Sequence, residues 1–81
     1  MSLHYFHHSN GRTSLDHFGT DLADASSVRK EAVRALRELL NLTDFTGDDL
    51  FRGEPWKIWV TKDPDATGPT VLSLEVSARA T

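Results

Sequence analysis

Asp24-Ala25-Ser26-Ser27-Val28-Arg29-Lys30-Glu31-Ala32-Val33-Arg34-Ala35-Leu36-Arg37-Glu38-Leu39-Leu40 is the stretch on which the fold turns. Apolar side chains recur at Ala25, Val28, Ala32, Ala35, Leu36, Leu39 and Leu40, the three-and-four-residue spacing that winds one stripe along an α-helix. At about 100° per residue the stripe covers an arc of roughly 140°, or about 160° with Val33. Such a stripe requires a partner surface. Asp24 is placed as the N-cap, because its carboxylate accepts from the free N–H of Ser26 or Ser27 at the positive end of the helix dipole. Asn41 is placed as the left-handed residue that closes the other end. The opposite side carries Lys30, Glu31, Arg34, Arg37 and Glu38, with Arg34 and Glu38 spaced to pair. Acidic residues interleave the basic ones, which favours a solvated face over a dedicated basic strip.

Upstream, an aromatic and histidine-rich run from Leu3 to Ser9 enters Asn10-Gly11, the strongest short signal for a two-residue hairpin turn. In that register Phe6 opposes Leu15, His7 opposes Ser14, His8 opposes Thr13, and His4 opposes His17. Strand alternation groups His4, Phe6, His8 and Leu15 on one face and Leu3, Tyr5 and His7 on the other. The Phe6 and Leu15 face is expected to turn inward. Asp16-His17-Phe18-Gly19 has the Asp and Gly positions of a type I turn, so the second strand is expected to bend there before Thr20 to Leu22.

Downstream, Thr46-Gly47-Asp48-Asp49 resembles a capping box with Asp in place of Glu and predicts one helical turn ending near Gly53. Trp56 to Thr61 and Thr70 to Ser77 alternate as strands, with Trp56, Ile58 and Val60 on one face and Leu72, Leu74 and Val76 on one face. Asp63-Pro64-Asp65 and Gly68-Pro69 mark a loop between them. The sum is an α+β domain of β-β-α-β-β order, two hairpins forming a four-stranded sheet covered on one face by a single amphipathic helix. Strand order is left open.

The 81 residues are expected to form one domain, 1–81, with a single small core. Cysteine is absent, which excludes a thiolate nucleophile, a disulfide framework and a Cys-based zinc site. The N-terminus lacks a basic segment followed by an apolar run, and no stretch approaches about 18 apolar residues. The expectation is therefore a cytoplasmic protein with no membrane association. Twelve acidic against nine basic residues leave a formal charge of −3, which disfavours non-specific attraction to nucleic acid.

The same residues resemble a family of very small bacterial proteins classed as a domain of unknown function. Its members carry a Tyr-Phe run near the N-terminus, a turn ending in Asp-Gly, an Asp-x-x-Gly-x-Glu-Leu element and an Asp before a helix rich in Ala, Arg, Glu and Leu. Tyr5-Phe6, Asn10-Gly11, and Asp16, Gly19, Asp21 and Leu22 match these in order. Asp24 matches the pre-helix Asp, and Arg29, Glu31, Ala32, Arg37, Glu38, Leu39 and Leu40 follow the helix pattern. Trp56 to Thr61 and Val71 to Val76 resemble the closing hairpin. The sequence departs from the pattern at Ala23, where Pro is usual, at Ser26 and Ser27, and in its longer loop at 63–69. The resemblance implies a fold and no activity, cofactor or catalytic residue. A looser, architectural likeness is to HicB-type antitoxins, and what it implies about function is analogy.

Four histidines within the first 17 residues raise a metal site, since imidazole suits zinc, copper and nickel. His4 and His8 lie about 13 Å apart along a strand, too far to share an ion at about 2 Å from each nitrogen; His4 with His17 would meet only if the strands stayed paired past Asp16. Ser9, His7 and Asp16 have the residue types of a nucleophile, base and orienter, which are also ordinary residues of exposed strands and turns. No catalytic, cofactor or metal residue is assigned. Trp59 falls opposite Ile58 and Val60, and two readings stand: an exposed contact surface with Tyr5 and His7, or packing beneath the 41–55 segment that holds Phe45, Leu50 and Phe51. The expectation is a non-enzymatic interaction or regulatory module without cofactors, self-associating as a homodimer or binding another protein through a sheet edge or the Tyr5, His7 and Trp59 face. The alternative is an antitoxin-like, nucleic-acid-linked regulator with phosphate contacts at Arg29, Lys30, Arg34 and Arg37.

Overall fold

A computed structural model describes residues 2–42 and 55–77. The elements are β1 (Ser2–Ser9), β2 (Thr13–Ser14), β3 (Thr20–Leu22), α1 (Ala25–Leu42), β4 (Trp56–Thr61) and β5 (Leu72–Val76). The fold is α+β, a mainly antiparallel sheet of order β2-β1-β4-β5 with β3 also on β1, packed against the one described helix. The second strand of the first hairpin is split in two by the Asp16–Gly19 bend that the sequence signals. The capping-box segment at 46–49, with Phe45, Leu50 and Phe51, lies outside the described residues.

Helix α1 begins where its cap predicts. Ser27 N–H donates to Asp24 Oδ1 at 2.8 Å, and the first helical bond runs from Val28 N–H to Asp24 O. The Ser27 bonds also hold the Asp24 carboxyl below its ordinary range. The C-terminal expectation is corrected: Asn41 is helical and α1 continues to Leu42. Asn is only a weak helix breaker, so an amphipathic face with sheet to cover overrides it.

The first hairpin is also corrected. His8 pairs with Ser14 and Ser9 with Thr13, so three residues, Asn10 to Arg12, form the loop and Asn10 N–H donates to Arg12 O. Gly11 takes a φ of 101° there, a left-handed conformation that glycine supplies without a Cβ penalty. This one-residue shift moves Leu15 off Phe6, and Leu15 joins neither core cluster. His4 opposes Thr20, not His17, so the two-histidine pair does not form.

β1 is the hub of the sheet. It holds β2 and β3 on one side and β4 on the other, with Phe6 opposite Val60 and His8 opposite Ile58; β5 then joins β4 with Ile58 opposite Leu74. These registers put Phe6, Trp56, Ile58, Val60, Leu72, Leu74 and Val76 on the face beneath α1. Leu39 packs with Trp56 and Ile58, and Val28 and Ala32 pack on Val60, with Phe6 touching both groups. Ala32 is fully buried, as a small side chain at the closest approach of helix and sheet must be. Val33, by contrast, lies outside the stripe and is 41% exposed.

A domain of this size has a total stability of about 4–12 kcal/mol. Truncating Ile58, which is 2% exposed, to Ala is therefore expected to cost about 2–5 kcal/mol, read as a fall in the urea midpoint at unchanged slope; a loss under about 1 kcal/mol would mean that α1 does not seat on β4.

Candidate functional site

The face of the sheet away from α1 carries Leu3, Tyr5 and His7 of β1 and Lys57, Trp59 and Thr61 of β4, with Tyr5 opposite Thr61 and His7 opposite Trp59. His7 is completely buried on this face. Thr61 Oγ1 donates to Asp63 O at 2.6 Å, so its lone pair receives the His7 Nε2 proton at 2.8 Å. The other ring nitrogen, Nδ1, accepts the Asp16 backbone N–H at 3.0 Å. This network assigns the imidazole proton to Nε2.

Asp16 organises the segment that covers His7. Its Oδ2 accepts from Phe6 N–H, and its Oδ1 accepts from Phe18 and Gly19 N–H. Partial burial pushes the carboxyl up, but the bonds from Phe18, Phe6 and Gly19 N–H outweigh it and hold the group below its ordinary range. Gly19 completes the arrangement with a φ of 76°. A Cβ there would lie 2.9 Å from the Tyr5 ring, so the turn is pressed flat on Tyr5 and only glycine fits both demands. The neighbouring Phe18 projects into solvent, 91% exposed.

The residues singled out from sequence are thus distributed unevenly. His7 is withdrawn from direct contact with any partner, because the Asp16 turn lies over it. Trp59 is half-buried, its ring centroid 5.3 Å from that of His7 and 5.3 Å from Lys57 Nζ, and Tyr5 is half-buried under Gly19. The catalytic grouping of Ser9, His7 and Asp16 does not assemble, since both His7 nitrogens are engaged by Thr61 and a backbone N–H while the Asp16 carboxylate serves the backbone. Among the described residues no group of three His, Asp or Glu side chains could hold a metal ion, and no helix is long and apolar enough to cross a membrane.

On the solvent side of α1, Arg29, Lys30, Val33, Arg34 and Arg37 line an open depression of about 380 Å³. Arg34 bonds to Glu31 and Glu38, and these partners raise its pKa. Sequence reasoning anticipated the Glu38 contact and not the one with Glu31, although both lie within one turn. Arg29, Lys30 and Arg37 make no ion pair among the described residues.

Among the described residues, the longest strand paired on one side only is β5, a feature that sequence reasoning named only generically as a sheet edge. Phe6 spends its N–H on Asp16, on the β2 side of β1, so it meets Val60 without ladder bonds. Val60 accordingly turns its peptide groups toward β5, and its carbonyl accepts the Val71 N–H at 2.8 Å. Alternation then aims the peptide groups of Leu72, Leu74 and Val76 at β4 and those of Ser73 and Glu75 outward. Among the described residues β5 is paired on one side only.

Residues 3–77 match the model of a family described as Domain of unknown function (DUF6894). Neither the curated proteins nor the solved structures give a match.

The Asp16 carboxylate stabilises the fold in its charged form, so its contribution is present above the ordinary carboxylate range near pH 4 and is lost as pH falls through the depressed native value. Asp16→Asn keeps an oxygen for Phe18 and Gly19 but removes the charge and the second acceptor. It is expected to cost about 1–3 kcal/mol at neutral pH, or roughly 4–20 °C in Tm, and the gap from wild type should narrow steadily below pH 4 in parallel thermal melts. A gap independent of pH would show that the carboxylate charge is not what holds the turn.

Proposed function

Because the chain belongs to the DUF6894 family, whose description carries no activity, we propose from its chemistry that it is a non-enzymatic interaction module that binds by adding a strand to β5. The observation that carries this reading is the outward row of peptide groups at Ser73 and Glu75, on a regular five-residue strand with an apolar inner face. Exposed sheet edges pair with another extended chain, the backbone supplying affinity and alternate side chains supplying selectivity. β5 carries no proline, no lysine and no inward-pointing charge; its one charged side chain, Glu75, is exposed and lies on the face away from α1.

Amide hydrogen exchange tests this directly. Ser73 and Glu75 amides are expected to gain protection when protein concentration rises or when an extended peptide alternating valine and threonine is added. Ser73→Pro removes an outward N–H and no bond to β4, so it should keep the fold and abolish the protection. Absence of protection in both wild-type samples would overturn the proposal.

A second reading, an antitoxin-like regulator linked to nucleic acid, is favoured by one observation: Arg29, Lys30 and Arg37 flank the same depression on α1 without acidic partners among the described residues. It expects affinity for random duplex DNA that falls with salt with a log–log slope of up to about −3, near −0.9 per phosphate contact. Negligible binding at about 20 mM salt, where such contacts are strongest, would remove it.

A further inference from the structure

Resting on β5 as the binding edge, the geometry points to a specific occupant: β5 of a second copy of this chain, antiparallel, with Leu74 opposite its own counterpart. The strand Leu72-Ser73-Leu74-Glu75-Val76 reads the same in polarity from either end. Turned about Leu74, it places Leu72 opposite Val76 of the second copy and Ser73 opposite Glu75, so each carboxylate meets a hydroxyl donor and no two carboxylates face each other.

The outward peptide groups select this register. Ser73 and Glu75 can bond only to the outward groups of the other strand, which excludes every one-residue slip. Centring on Glu75 sets two carboxylates side by side. Centring on Ser73 sets Val76 opposite Thr70, which precedes the strand, and Glu75 opposite Val71, whose N–H is already bonded to Val60 O. Centring on Leu74 pairs all five residues and satisfies both N–H and both C=O groups of Ser73 and Glu75 in each copy. It also keeps Leu72, Leu74 and Val76, which are half-buried, on one face with those of the second copy. The two α1 helices then lie on the same side of one continuous sheet, and the apolar row at the edge continues into its counterpart.

The absence of cysteine gives a clean test, since one introduced thiol can bridge only two molecules. Leu74 would form a pair without hydrogen bonds, with Cα atoms about 4.5 Å apart, inside the disulfide range; Ser73 lies about 8 Å from its counterpart, two residues out of step. In a glutathione buffer Leu74→Cys is expected to form a covalent dimer while Ser73→Cys stays unlinked, and wild type should dimerise reversibly in sedimentation velocity. Ser73→Lys, facing Glu75, should tighten the dimer and Ser73→Glu should loosen it, each by at least about twofold, on a side chain exposed enough not to disturb folding. Equal linking of both cysteine variants, or the reverse order of the two charge variants, would overturn the register. A wild-type chain that stays monomeric while the valine–threonine peptide protects the Ser73 and Glu75 amides would overturn the second copy and leave the edge reading standing; monomers without protection would overturn both.

Discussion

The β1–β4 ladder is the constraint on which the rest of the structure depends. Ser2–Ser9 and Trp56–Thr61 are far apart in sequence, yet their pairing sets Phe6 opposite Val60 and His7 opposite Trp59. That register joins the N-terminal hairpin to the C-terminal one and aligns their apolar positions beneath α1. It also decides the polarity of every peptide group beyond it: because Phe6 turns its N–H to Asp16, Val60 faces β5 and the outer groups of β5 face solvent. A hydrogen bond on one side of the sheet thus sets which groups are free on the other.

Burial of polar side chains follows the same logic. His7 is completely buried on the face that α1 does not cover, which is tolerable because both ring nitrogens are bonded and the Asp16 turn excludes water from above. The second loop uses a similar device. Thr67 N–H, with support from Gly68 N–H and the Thr67 hydroxyl, holds Asp63 in its charged form below the ordinary carboxylate range, against the opposing effect of burial. Two aspartates therefore organise two of the irregular segments among the described residues, each by gathering backbone N–H groups around one carboxylate. Phe18 is left exposed on the first of these turns, whereas the interaction reading rests on the Ser73 and Glu75 edge of β5 at the other side of the sheet.

Local periodicity carried the helix, its Asp24 cap, the Trp56–Thr61 strand and the Asp16–Gly19 bend, because each is a pattern of neighbours within a few residues. The hairpin register escaped it. Asn10-Gly11 serves a two-residue or a three-residue loop equally well, and the choice is made by where the Asp16 carboxylate and His7 can be satisfied together. Asn41 was misplaced as a cap for a related reason: its weak preference to end a helix loses to the packing of Leu39 and Leu40 on the sheet.

Sequence alone therefore determined the element types of the described residues, the apolar stripe of α1 and the inward face of Phe6, Trp56, Ile58 and Val60, since 3.6- and 2-residue periods are properties of the chain itself. Only the tertiary structure decided strand order, the burial of His7 on the face opposite the helix and the outward aim of the Ser73 and Glu75 peptide groups. These depend on which distant strand donates to which, and no local pattern encodes a hydrogen bond between residues 54 positions apart such as that of His7 with Thr61.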